Sequence, residues 1–204
     1  MIAAPPVPAA TPRAGYHVHD GFYLRLSAGV GGGHGSVSSD ERGVPSFDAG
    51  GPGGTLSVWV GGTPWRGVAI GGLLSLQGFN DHNVEVEGRD TDESMDGGMV
   101  LVGPFFDAFP DPQRGLHVGG SLGLAGFSAL ADGQVLEDRR DVADYNGGGL
   151  GISAWVGYMG FVGPEWSMGG LLQLTGFATG EKKDSVERRA SGYTVSLSFS
   201  ALYH

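Results

Sequence analysis

Read from its far end, the chain alternates. Over 193–203 (YTVSLSFSALY), Tyr193, Val195, Leu197, Phe199, Ala201 and Tyr203 fall on one face, with Thr194, Ser196, Ser198, Ser200 and Leu202 on the other. A period of two is the signature of a strand, whose successive side chains point to opposite faces. Eleven residues at about 3.3 Å each make about 36 Å, long for a globular strand. Near the start, Phe22, Leu24, Leu26, Ala28 and Val30 alternate with Tyr23, Arg25, Ser27 and Gly29 in the same way. Six further strands are predicted between these two, at 55–62, 67–79, 99–109, 116–127, 150–161 and 168–177.

The connections alternate too. Those at 63–66, 110–114 and 163–166 are tight and contain proline, whereas 33–54, 80–98, 128–149 and 180–190 are read as long polar loops. In an up-and-down meander, alternate connections fall at the same end, so one rim carries the short turns and the other the long loops. Eight strands bring both termini to the short-turn rim. An internal echo runs through them: 69–79 (AIGGLLSLQGF) matches 167–177 (SMGGLLQLTGF) at an offset of 98, and 57–61 (SVWVG) matches 153–157 (SAWVG) at 96. Two duplicated four-strand halves would produce this, and so would similar strands meeting one physical demand.

The less apolar face decides the solvent. In water it would carry Lys and Glu, yet here it is small and uncharged: Ser27, Ser75, Gln77, Ser121, Ser153, Gln173, Thr175, Ser196, Ser198. Charge is concentrated in the connections, with Arg25, Asp107, Glu85 and Glu87 as exceptions. Small polar groups suit the narrow lumen of an eight-stranded barrel, while Leu, Val, Ile and Phe suit hydrocarbon, where a charged side chain costs about 2–4 kcal/mol at mid-membrane. An open sheet edge in lipid would strand backbone polar groups, so the sheet must close. The predicted fold is therefore all-β, an eight-stranded antiparallel up-and-down transmembrane β-barrel over 21–204. Residues 1–20, with MIAAPPVPAATPR at their head, read as a flexible Pro/Ala-rich tail.

Composition narrows this further. Of 204 residues, 40 are Gly without a collagen period, and 40% hydrophobic against 17% charged residues argues against disorder. The absence of Cys removes disulfides, thiolate metal sites and thiol nucleophiles, and a net charge of −10 disfavours nucleic acid as a partner. No run approaches the length of a transmembrane helix. Met1 to Arg13 lacks the n- and h-regions of a secretion signal, which fits either a natural start or the new end left once a signal has been removed.

Aromatics gather at both rims, as membrane interfaces require. Phe22, Tyr23, Trp65, Phe105, Phe106, Phe109, Trp166 and Tyr203 lie near the short turns; Phe79, Phe127, Phe177 and Tyr193 lie near the long connections. From these the aromatic girdle is predicted to comprise Phe22, Trp65, Phe109, Trp166, Tyr203, Phe79, Phe127 and Phe177. Eight alternating strands, short turns opposite long polar loops and a last strand ending in an aromatic resemble the small OmpA/OmpX/OmpW-type outer-membrane barrels. That resemblance implies a bacterial outer-membrane location, with extracellular long loops and periplasmic termini. It implies outer-membrane lipids and lipopolysaccharide as surroundings, a monomer, and a last strand whose Phe199, Ala201 and Tyr203 are read by the barrel-assembly machinery; here His204 follows the aromatic.

Candidate chemistry is sparse, and no cofactor or metal is expected. The acidic segment 85–97 lacks the ligand spacing of a calcium loop and reads as a solvated loop, with a cation bridge to lipopolysaccharide as the alternative. The basic stretches at 180–184 and 187–189 could touch lipid phosphates or form a charged loop tip. His17 and His19 alone make no metal site. His34, Ser36 and Asp40, or Asp81 and His82, are the residues a lipid hydrolase would need, but no deacylase pattern lies on a strand, so no catalysis is expected. Arg25, Asp107 and His117 all fall near the short-turn ends of their strands and are predicted to meet as a polar cluster in the lumen. The functional expectation is a structural or surface-interaction role. The alternative is binding or passive transport of small hydrophobic molecules through the barrel, as the OmpW likeness implies.

Overall fold

The computed structural model describes residues 21–39, 46–81, 85–86, 89–90, 94–132, 145–183 and 186–204. Eight long strands make the fold: β1 (Gly21–Ser39), β2 (Phe47–Trp65), β3 (Val68–Asp81), β4 (Ser94–Ala108), β5 (Leu116–Asp132), β6 (Tyr145–Phe161), β7 (Trp166–Lys183) and β8 (Val186–Tyr203). Each pairs antiparallel with the next, and β8 returns to pair with β1, so the sheet closes and leaves no long edge. Two two-residue strands, Glu85–Val86 and Arg89–Asp90, form a small hairpin in the β3–β4 connection, and the first of them pairs with Phe47 and Asp48 of β2. The predicted tail, 1–20, lies outside the described residues. Among the described residues no helix is long and apolar enough to cross a membrane; the crossing is made by strands.

The faces divide as a membrane requires. Leu26, Val30, Leu56, Leu124, Leu150, Ile152, Leu197 and Phe199 are exposed on the outer wall, while Ser27, Ser57, Ser75, Ser121, Ser153, Thr175, Ser196 and Ser198 are buried in the bore. A continuous belt of exposed Leu, Val, Ile and Phe is tolerated only where lipid covers it.

The strands reach further than the alternation of apolar residues did. Most of the predicted loop 33–54 is ladder, with Gly33 opposite Gly51 and Val37 opposite Phe47. The predicted loop 180–190 is likewise strand on both sides, with Gly180 opposite Arg189 and Lys183 opposite Val186. The physical reason is that the sheet continues beyond the apolar belt. There its outer face meets water, so the apolar half of the pattern stops while backbone pairing goes on. At the opposite rim the connections are tight. Gly67, at φ +75°, turns β2 into β3 and accepts from the Phe109 amide at 2.7 Å. Asp111 binds the Gln113 amide at 3.1 Å and pairs with Arg114 at 3.1 Å.

Candidate functional site: the closed bore

The bore is filled in three layers. Near the short-turn rim, Asp107 of β4 accepts from four side chains: Tyr23 Oη (2.6 Å) and Arg25 Nη1 (2.8 Å) of β1, His117 Nδ1 (3.0 Å) of β5 and Trp155 Nε1 (3.0 Å) of β6. Arg25, Asp107 and His117 are all fully buried. The guanidinium carbon of Arg25 stands 3.8 Å from the Trp59 ring centre and 5.2 Å from that of Trp155, so the charge is held by a carboxylate and by aromatic faces together. Phe109 stacks on His117 at 5.0 Å, and Phe105 packs between Tyr23 and Trp155. Glycines make the room: a Cβ on Gly157 would stand 2.3 Å from His117 Nε2, and one on Gly119 2.5 Å from Trp155 Nε1. The predicted trio meets, enlarged by five aromatics, Tyr23, Trp59, Phe105, Phe109 and Trp155.

At mid-height, polar side chains span the bore. Gln77 of β3 donates to Thr175 of β7 at 3.1 Å, with three strands between them on either side, and accepts from Thr194 of β8. Ser57 and Ser75 are joined at 2.8 Å, Ser153 and Thr175 at 3.0 Å, and Gln173 donates to Ser153 at 3.0 Å. Above them Phe127 stacks on Phe177 (4.7 Å) and Phe79 (6.2 Å), with Tyr145 against Phe127 and bonded to Thr179 at 2.9 Å. Arg188 caps this layer, facing Tyr145 and Phe47 and pairing with Glu181 at 3.6 Å.

Four predicted girdle residues therefore belong elsewhere. Phe79, Phe127, Phe177 and Phe109 are buried in the bore and do not touch lipid. Parity is the cause: Phe79 shares the face of Ser75 and Gln77, Phe177 that of Gln173 and Thr175, and Phe109 that of Phe105 and Asp107. The height along the strand was read correctly and the side was not. Phe22, Trp65 and Trp166 do face outward, and Tyr203 joins Phe22 and Trp166 at 6.3 and 5.3 Å in an outer aromatic patch. Tyr23 and Phe105, also assigned to that rim, belong to the plug.

Two plug residues not assigned to it from sequence, Trp59 and Trp155, did leave a signal. They are the repeated tryptophans of the internal echo, and they meet edge to face at 5.7 Å across the bore. Gln77 and Thr175 are likewise equivalent positions of the two halves, as are Phe79 and Phe177, which flank Phe127.

The hydrolase candidates are only partly among the described residues. His34 sits on the outer wall in β1, against Tyr193 at 6.0 Å, while Asp40 and His82 lie outside the described residues. Among the described residues no group of three or more potential ligands could hold a metal ion.

In sequence the chain matches no family model and no curated protein. In fold it is similar to the outer-membrane protein OprG of Pseudomonas aeruginosa, with a TM-score of 0.56 at 11% identity over 93% of this chain and 99% of that one. Ail of Yersinia pestis (TM-score 0.46, 11% identity, 88% and 99% covered) and Neisserial surface protein A (0.44, 14%, 89% and 96%) lie further off. The fold is that of the small outer-membrane barrels.

Proposed function

We propose that this protein is a sealed barrel of the bacterial outer membrane, serving a structural or surface-interaction role without catalysis. The bore carries that reading. A buried ion pair wrapped in aromatics occupies one end, and Gln77 bridges to Thr175 at mid-height, which supports a bore without a wide aqueous path. The outward aromatics Phe22, Trp65, Trp166 and Tyr203 at the short-turn rim support a membrane interface there, with the termini on the periplasmic side and the longer connections outside. Planar-bilayer recording tests the sealed bore: refolded protein should give no steady single-channel current, and discrete open levels at neutral pH would overturn the reading.

One observation favours passage of small apolar molecules as a second reading. The β4–β5 ladder runs from Val102 opposite Leu124 to Phe105 opposite Ser121, and between them Gly103 and Pro104 pair only with β3. Pro104 has no N–H to give. A groove of about 550 Å³ covers this seam, lined on the lipid side by Pro104, Phe106, Gly120, Leu122, Ile152 and Ala154. Binding of a fluorescent fatty-acid analogue that Pro104→Ala weakens several-fold would support this reading. Equal binding by both proteins would remove it.

A further inference from the structure

Arg25 is held at one nitrogen only. Its Nη1 donates to Asp107 at 2.8 Å and lies 3.3 Å from His117 Nδ1. Its Nε and Nη2 are fully buried and have no hydrogen-bond partner among the described residues. Those two nitrogens form the side of the guanidinium whose N–H bonds run parallel, the fork that grips a planar oxyanion or cradles a halide. A charged donor buried without an acceptor is costly, so the fork calls for one. The protein supplies none: Asp107 is the only fully buried acid among the described residues, and four side chains already share it.

The groups beside the fork donate as well. Trp59 pairs with Arg25 across the β1–β2 ladder and stacks on its guanidinium, the ring centre 3.8 Å from the central carbon. Its Nε1–H, which can only donate, is buried without a partner among the described residues. Ser27, the next inward residue of β1, is 3% exposed, and its hydroxyl is likewise unpartnered there. Higher in the bore, level with Gly29 and Gly31, the lining changes character. A cavity of about 10 Å³ lies between Thr55, Gln77 and Ser196, where hydroxyls and an amide offer donors and acceptors together, a setting that suits water. Gln173 Oε1, an unpartnered acceptor, stands at that level opposite Ser196. Around Arg25 the balance is different. A water needs acceptors for its own two hydrogens, and beside the fork only hydroxyl oxygens remain to serve; an anion takes every one of these donors and requires no acceptor.

We propose that the fork of Arg25, with Trp59 Nε1 and Ser27 Oγ, binds a small monovalent anion of the size of chloride, bromide or nitrate. The ion is taken up from solution as the barrel closes, and the aromatic layers above and below then hold it in place.

The test refolds the full chain into phosphatidylcholine vesicles at a series of bromide concentrations and neutral pH, with gluconate keeping the ionic strength constant. Bromide quenches an indole it touches, so a Trp65→Phe, Trp166→Phe background leaves Trp59 and Trp155 as the only tryptophans. Quenching should saturate with bromide, and the midpoint of heat-dependent gel mobility should rise by about 3 °C or more from gluconate to saturation. Arg25→Lys, which keeps the charge without the fork, should abolish both effects. Ser27→Ala and Trp59→Phe, which keep the packing and remove one donor each, should each weaken the bromide affinity several-fold, read from the midpoint, and carry the test if Arg25→Lys does not fold. Arg114→Gln at the rim should change nothing. A midpoint indifferent to bromide with quenching that rises only linearly would overturn the proposal. So would an undiminished response in Ser27→Ala and Trp59→Phe, or an equal loss in Arg114→Gln. The ion is present on both sides of the vesicle and throughout refolding, so the result is independent of the barrel's orientation and of whether its bore conducts.

Discussion

Asp107 shows how much one residue can decide. Its two carboxylate oxygens accept from Tyr23, Arg25, His117 and Trp155 on three other strands, all out of water. Removing one partner of a buried pair leaves the other charge uncompensated, at a cost of about 3–5 kcal/mol. Asp107→Ala should therefore destabilise the folded barrel by that amount in urea titrations from lipid vesicles, and Asp107→Asn, which keeps an acceptor, by less. A loss under about 1 kcal/mol would mean that Arg25 had found water or another acceptor. His204, past the end of β8, makes a second residue-scale case. Its ring packs on Phe161 at 5.6 Å and meets Ser167 Oγ at 2.9 Å, and burial pushes its pKa from 6.5 down to about 4. The unfolded chain takes up this proton near 6.5, so the contribution of neutral His204 to stability is full above that pH. It declines as the pH falls below 6.5 and is gone once the pH has dropped through about 4. An NMR titration of the ring should show a midpoint near 4; a midpoint at or above 6.5 would contradict the burial.

At the scale of elements, the strands obey two solvents along their length. Within the belt the alternation of Leu26, Ala28 and Val30 with Arg25, Ser27 and Gly29 identified β1 without ambiguity. Above the belt its continuation through His34, Gly35 and Ser36 is the same strand with no apolar row, so only backbone pairing to β2 and β8 reveals it. The β4–β5 seam is the weak element. Amides of 102, 103, 105 and 121–124 should exchange with deuterium faster than those of the β1–β8 seam at equal height, because the ladder lapses beside Pro104. Uniform protection around the barrel would show that the neighbouring pairs bridge the gap.

At the scale of the whole molecule, the echo in sequence becomes an approximate two-fold relation across the bore. Trp59 meets Trp155, Gln77 meets Thr175, and Phe79 and Phe177 both stack on Phe127. Each half, β1–β4 or β5–β8, ends in two edges whose unpaired backbone groups would cost several kcal/mol apiece in lipid. A chain broken between residues 132 and 145 should thus refold into a barrel when both pieces are present, read by heat-dependent gel mobility, and neither piece should fold alone. A half that inserts and resists denaturation by itself would show that closure is not what the two halves supply to each other.

Alternation along the chain was enough to establish the number of strands, their antiparallel order and the inversion of solvent between wall and bore, because hydrocarbon outside and a narrow lumen inside impose opposite demands on neighbouring residues. It also placed Arg25, Asp107 and His117 at one height. The tertiary structure alone decided what closes the bore. Trp59 and Trp155 reach the cluster from strands that contribute none of the predicted trio, Tyr23 joins it from beside Arg25, and the rim phenylalanines turned inward to stack in the lumen. A period of two records the side of the sheet a residue takes; which residues then meet across the barrel depends on curvature and closure, which no local pattern contains.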